Sequence, residues 1–231
     1  MPLARHVVFD LDGVIVDSEP VHERANDEYM AGLGIPRDEA LSQDMMGRRV
    51  RDLTDVLAKR LGRPPDEVFA EREAVFWRLL EGEGPAPMPG LKAAIARLAA
   101  AGLELAVATS GTRAYVDFTL ERLGVAAAFR VVVSGEDVTR GKPDPETYLL
   151  AAALLGADPA GCVALEDTVH GVTAARAAGM HAVAVPNPLT AGMDFSAADV
   201  VMADLEAAAG YVLAPSSLRQ QDAATARTAD T

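Results

Sequence analysis

Short apolar runs that end on polar residues recur along this chain. The first, His6-Val7-Val8-Phe9, is β-branched and brief, and it closes on Asp10 with the turn pair Asp12-Gly13 just beyond. It reads as a buried strand whose C-terminal end carries carboxylates. The texture then changes: from about residue 18 to residue 83 the chain is charged and poor in β-branched runs, with apolar residues at helical spacing over 52–61 and 67–80. That stretch predicts an all-helical insert. Gly82, Gly84, Pro85, Pro87, Pro89 and Gly90 form the densest turn-and-linker signal and mark the return to another domain.

From Leu91 onward helical and strand-like segments alternate. Helices are predicted over 91–101, 112–123, 145–155 and 169–178, and strands over 103–108, 129–133, 162–165 and 182–185. Gly102, Gly124, Gly156 and Gly179 each follow a predicted helix, where a left-handed cap is wanted. Such alternation implies a parallel sheet covered on both faces. The expected architecture is α/β: a Rossmann-like parallel-sheet core from 1–16 and 88–213, with a helical domain inserted over 17–87. The tail, 214–231, is rich in Ser, Gln, Ala and Thr without apolar period, and is expected to be disordered. No internal repeat is present.

In an open parallel sheet, ligands bind outside the carboxyl ends of the strands, so the polar residues closing each apolar run form a set. They are Asp10 and Asp12, Thr109 and Ser110, and Glu166 and Asp167, with Lys142 in the loop after the third strand. Singly, each has an ordinary explanation: a turn for Asp10, a helix cap for Thr109-Ser110 or for Glu166-Asp167. Jointly they do not. Four carboxylates on one edge repel one another severely unless a divalent cation and a lysine neutralise them, and hard oxygen ligands suit Mg²⁺.

Composition narrows the partners. The 231 residues, half of them hydrophobic, suffice for one large α/β domain and a modest insert. A formal net charge of −13 argues against a nucleic-acid backbone or an anionic membrane surface. An anionic small ligand would need a local positive site to offset that field. Cys162 is the one cysteine, set in an apolar run, so no intrachain disulfide is possible and a buried, inert thiol is expected. The N-terminus does not read as a signal peptide, and no apolar run approaches the roughly 18 residues of a membrane helix. A cytoplasmic monomer is the expectation.

Asp10-Leu11-Asp12-Gly13-Val14-Ile15-Val16-Asp17-Ser18-Glu19, together with Ala108-Thr109-Ser110, Gly141-Lys142-Pro143-Asp144-Pro145-Glu146 and Leu165-Glu166-Asp167-Thr168, resembles the haloacid dehalogenase superfamily. All four of its signature motifs stand in order, and the resemblance spans residue 6 to about residue 205. It implies that Asp10 attacks phosphorus to give an aspartyl-phosphate, while Asp12 protonates the leaving oxygen and then activates water. Thr109 and the backbone N–H of Ser110 would bind the phosphoryl oxygens, and Lys142 would neutralise nucleophile and developing charge. Mg²⁺ would be held by Asp10, the Asp12 main-chain carbonyl and Asp167, with Glu166 acting through water.

The insert directly after the first motif resembles the four-helix cap of the subgroup that holds β-phosphoglucomutase and many small-metabolite phosphatases. By that likeness His22 would couple cap closure to Asp12, and Gly47, Arg48 and Arg49 would belong to a substrate-specificity loop. The mutase arginine for a second phosphate is replaced by Val50, and its polar side chains after the second motif by Gly111, Thr112 and Arg113. Gly111 and Arg113 remain candidate substrate contacts. Asp12 argues against a dehalogenase, whose halide needs no proton, and the three lysines, Lys59, Lys92 and Lys142, offer none on an early cap helix for a phosphonatase Schiff base. The leading expectation is a phosphatase for a small phosphorylated metabolite such as a sugar phosphate; a sugar-phosphate mutase and a non-catalytic phosphate-binding module are the alternatives.

Overall fold

The computed structural model describes residues 4–35 and 50–214. Gly47, Arg48, Arg49 and the tail from residue 215 lie outside them. The chain divides into two compact units, Met1–Asp17 with Ala86–Thr231, and Ser18–Pro85.

The first unit is a six-stranded sheet. Its strands are β1 (His6–Phe9), β4 (Glu104–Ala108), β5 (Phe129–Val133), β6 (Cys162–Glu166), β7 (His181–Ala184) and β8 (Val200–Val201), in the order β5-β4-β1-β6-β7-β8. Every neighbouring pair runs parallel. Parallel strands are covered on both faces, and accordingly Val7, Val8, Phe9, Val163, Ala164 and Leu165 are fully buried. Their cover is α4 (Leu91–Ala100), α5 (Arg113–Leu123), α6 (Glu146–Leu155), α7 (Val169–Ala177) and α8 (Leu205–Leu213). Small residues on both layers, Ala106, Ala108, Ala164 and Ala182 against Ala151, Ala152, Ala174 and Ala175, let helices lie close on the sheet in one buried cluster.

Register sets the functional edge. Phe9 stands opposite Val107 on one side and Leu165 on the other, so Asp10 comes level with Glu166. The ladder runs on past the strand ends: the Asp10 N–H donates to Leu165 O at 3.0 Å, and the Thr109 N–H to Val133 O at 3.0 Å. Side chains there are held by a continuous hydrogen-bonded backbone.

Helix ends follow the expected chemistry with one shift. Thr112 caps α5, accepting from the Tyr115 N–H, and Thr168 caps α7, accepting from the Gly171 N–H. Thr109-Ser110 and Glu166-Asp167 are therefore left for other work. Gly102, Gly124, Gly156 and Gly179 all adopt positive φ, as anticipated.

Besides β8, two short pieces were not legible as strands. β2 (Val16–Asp17) pairs antiparallel with β3 (Ala86–Pro87), Asp17 opposite Ala86, so Asp17, Ala86 and Pro87 belong to the sheet unit and not to the insert. The turn-rich linker is also narrower than its composition suggests. Gly82 lies inside a helix, because buried Phe76, Leu79 and Leu80 hold the last turns down and outweigh the roughly 1 kcal/mol that a helical glycine costs.

The insert contains α1 (Glu19–Gly32), α2 (Val50–Leu61) and α3 (Pro65–Glu83). They close on Tyr29, Met30, Leu57, Ala58 and Val68. These are three of the four helices that the resemblance implies, and residues 36–49 lie outside the described residues. No helix among the described residues is long and apolar enough to cross a membrane.

Candidate active site

Asp10 leaves β1 into the C-terminal edge of the sheet and is 7% exposed. Lys142 meets it there. The Lys142 Nζ donates to Asp10 Oδ1 at 2.6 Å, to Glu166 Oε1 at 2.6 Å and to Ala108 O at 3.0 Å, which uses all three ammonium donors. Its loop is closed by Glu146 at the start of α6, which accepts from the Thr139 and Arg140 N–H groups. The Tyr148 ring centroid lies 4.9 Å from Nζ. Burial alone would lower the Lys142 pKa, yet the charges of Asp10 and Glu166 reverse that and hold it above the usual lysine range.

Glu166 ends β6 fully buried. Oε1 accepts from Lys142 and from the Tyr148 hydroxyl at 2.7 Å, while Oε2 accepts from the Asp167 N–H, the Thr168 N–H and the Thr168 hydroxyl. Its oxygens are already in demand. A Cβ at Gly171 on α7 would lie 1.7 Å from Oε1, so the helix reaches this carboxylate only because residue 171 has no side chain.

Asp167 differs. Oδ2 accepts from Asn187 Nδ2 at 2.9 Å, but Oδ1 is buried and has no hydrogen-bond partner among the described residues. Ligand oxygens of Asp10, Glu166 and Asp167 lie within 4.8 Å of one another. Burial first of all pushes the Asp10 carboxyl up to about 7, with Lys142 pulling against it and Glu166 and Asp12 adding to it. For Asp167, burial and then the charges of Asp10, Glu166 and Asp12 push it up to about 8. Three carboxylates face one ammonium here, and one oxygen of the set, Asp167 Oδ1, is left without a partner among the described residues. A small hard dication answers both, so the residues fit Mg²⁺.

The second loop brings Thr109 and Ser110 to the same edge. The Thr109 hydroxyl accepts from the Gly111 N–H at 3.1 Å, and Gly111 O accepts from the Gly135 N–H at 2.8 Å. That pins a tight loop whose Ser110 is exposed. Arg113, expected near the substrate, spends its guanidinium on Val132 O at 3.0 Å and on Asp137. Asp12, half-buried in the turn after β1, accepts from the Tyr115 hydroxyl at 2.7 Å.

His22 lies in the insert, stacked on Phe76 with centroids 4.3 Å apart. Arg72 Nη2 approaches its Nδ1 at 2.9 Å, and a guanidinium can only donate, so the imidazole carries its proton on Nε2. Burial and then Arg72 lower its pKa to about 3. Arg72 itself is fully buried, bonded also to Asn26 and Glu73.

Tyr115, Tyr148, Gly171 and Asn187 were not singled out in the sequence. Asn187 carried a signal there: it follows the last long strand in Pro186-Asn187-Pro188, another polar residue closing an apolar run. Cys162 is buried, its thiol pushed up to about 11 by burial, as expected of an inert core cysteine.

The family model for haloacid dehalogenase-like hydrolases matches residues 4–179. Protein CbbY of Rhodobacter capsulatus is 34% identical over 214 residues, which cover 88% of this chain and 94% of that one. Hexitol phosphatase B of Escherichia coli is 35% identical over 187 residues, 78% of this chain and 83% of its own. The crystal structure of CbbY from Rhodobacter sphaeroides in complex with xylulose-1,5-bisphosphate superposes with a TM-score of 0.74 at 27% identity, covering 87% of this chain and 95% of that one.

Proposed function

From the premise that this chain belongs to the haloacid dehalogenase-like hydrolases and is a phosphatase, we propose that it hydrolyses a small sugar phosphate through an aspartyl-phosphate on Asp10. The observation that carries this is the buried Asp10 at the sheet's edge with Lys142 Nζ at 2.6 Å. A carboxylate Asp10 attacks phosphorus, the bond from phosphorus to the leaving oxygen breaks, and Asp12 gives that oxygen its proton. Asp12 then takes a proton from water as the water attacks phosphorus, and the phosphorus–Asp10 bond breaks to return the free carboxylate. Lys142 favours the ionised nucleophile, and Thr109 and the Ser110 N–H receive the phosphoryl oxygens.

Asp10, the Asp12 main-chain carbonyl and Asp167 would hold Mg²⁺, with Glu166 behind them. When bound, the ion supplies positive charge against the phosphoryl oxygens. His22, with Gly47, Arg48 and Arg49, belongs in this reading to the insert's contribution to specificity. Hydrolysis is favoured over mutase chemistry because Arg113 is committed to Val132 and Asp137, and Val50 stands where the mutase has its arginine. Retention of both Asp10 and Lys142 favours catalysis over mere binding. The kinship to a hexitol phosphatase and to a protein crystallised with a sugar bisphosphate supports a sugar phosphate as substrate. A lone, buried Cys162 is in keeping with work in a reducing cytoplasm.

Phosphate release from p-nitrophenyl phosphate, then from a panel of sugar, hexitol, nucleotide and small-acid phosphates, tests the reading. Release is expected to need Mg²⁺ and to fall at least about 10³-fold in Asp10→Asn. Full turnover in that variant would sink the mechanism.

A further inference from the structure

We infer that Tyr115 is a positioning residue for Asp12, holding one carboxyl oxygen so that the other faces the leaving group. The inference rests on the reading of Asp12 as the proton donor just given. Its basis is a contact that no motif contains. The Tyr115 hydroxyl donates to Asp12 Oδ1 at 2.7 Å, across 103 residues of chain. The more basic, carbonyl-type oxygen of a carboxyl group is the better acceptor, so a phenol donating to Oδ1 favours Oδ2 as the oxygen that carries the proton Asp12 hands on.

The sequence around Tyr115 is built to aim it. Tyr115 is the third residue of α5, and its N–H is the one that the capping Thr112 hydroxyl accepts. The cap therefore fixes where the first turn points the ring. Tyr115 is 7% exposed, and its ring lies against Gly111, where a Cβ would come within 3.0 Å of its Cδ1 and 3.5 Å of its Cε1. A glycine at 111 makes the room. The same loop carries Thr109 and Ser110 and is tied to Gly135 by the Gly111 carbonyl. Phosphoryl-binding loop and proton-donor carboxyl are thus referenced to one rigid piece, and the distance between donor and leaving oxygen depends on it.

Leaving-group dependence separates positioning from mere packing. Tyr115→Phe keeps the ring and deletes the hydroxyl. The quantity to read is kcat/KM for phenyl phosphate and for 2,4-dinitrophenyl phosphate, because it reports the step in which the leaving oxygen departs, and the nitrated phenolate departs without help. Tyr115→Phe is expected to lower kcat/KM for phenyl phosphate about tenfold or more while changing that for the dinitrophenyl ester less than about twofold, and Asp12→Asn to show the same split more strongly. Both esters are measured on one preparation, so a partly unfolded fraction cancels in their ratio. Equal losses on both esters, or none on either, in Tyr115→Phe overturn the inference. If Asp12→Asn shows no split, the assignment of Asp12 falls first; a split in Asp12→Asn alone overturns only the role of Tyr115.

Discussion

Replacing Asp167 with asparagine is expected to make the metal-free protein more stable and to abolish its turnover. In the folded protein without a divalent ion, Asp167 keeps its proton up to about pH 8, whereas the unfolded chain releases it near the ordinary aspartate value of 3.8. Between those values the native state binds the extra proton. Stability contributed by this group is therefore full below about pH 4 and declines as pH rises towards 8, by about 1.4 kcal/mol per unit. From pH 5 to pH 8 the loss is roughly 4 kcal/mol. Against a typical total of about 5–15 kcal/mol this is large. Urea denaturation with EDTA at pH 5 and pH 8 reads it directly. Wild type should weaken by several kcal/mol over that interval, Asp167→Asn by much less, and millimolar Mg²⁺ should rescue wild type alone. An Asp167→Asn protein no more stable than wild type at pH 8 in EDTA, or one equally stabilised by Mg²⁺, would refute the argument that these carboxylates are held apart from their preferred charge.

Other outcomes follow from single contacts. Gly171→Ala places a Cβ 1.7 Å from Glu166 Oε1, and relief of that clash must break the hydrogen bonds with Lys142 and Tyr148; kcat should fall at least about 10²-fold and Tm should drop, and wild-type values for both would contradict the close approach. His22, with its pKa lowered to about 3, should show no titration by NMR between pH 8 and pH 4.5 and should remain the Nε2–H tautomer; a midpoint near 6 would place Arg72 elsewhere.

What the sequence disclosed and what it withheld divide along a physical line. Strand ends were legible because a parallel strand buried on both faces must be an unbroken apolar run, so its termination at Asp10, Thr109 or Glu166 is visible without a structure. Lys142 was legible through the loop that carries it. Tyr115 and Gly171 were not, because the azimuth of a residue on a helix has meaning only once the helix is docked. Glycine inside α7 was the one local hint, since a helix tolerates it at a cost of about 1 kcal/mol and usually for a reason of space. The edge strand β8 and the ribbon of β2 and β3 are two residues each, too short for any period to show. Among the insert's candidates, His22 is placed by the structure, while Gly47, Arg48 and Arg49 fall outside the described residues.

That ribbon has a consequence for how such a protein can change. Because Asp17 is paired directly with Ala86, the 68-residue Ser18–Pro85 unit begins and ends at one spot on its host. A segment spliced in at a closed doorway of this kind can be lengthened, shortened or exchanged without moving any strand of the host, since the host's own chain is already joined across the gap. Asp10, Lys142, Glu166 and Asp167 all belong to the host, so the insert can vary while that set of strand ends stays as it is.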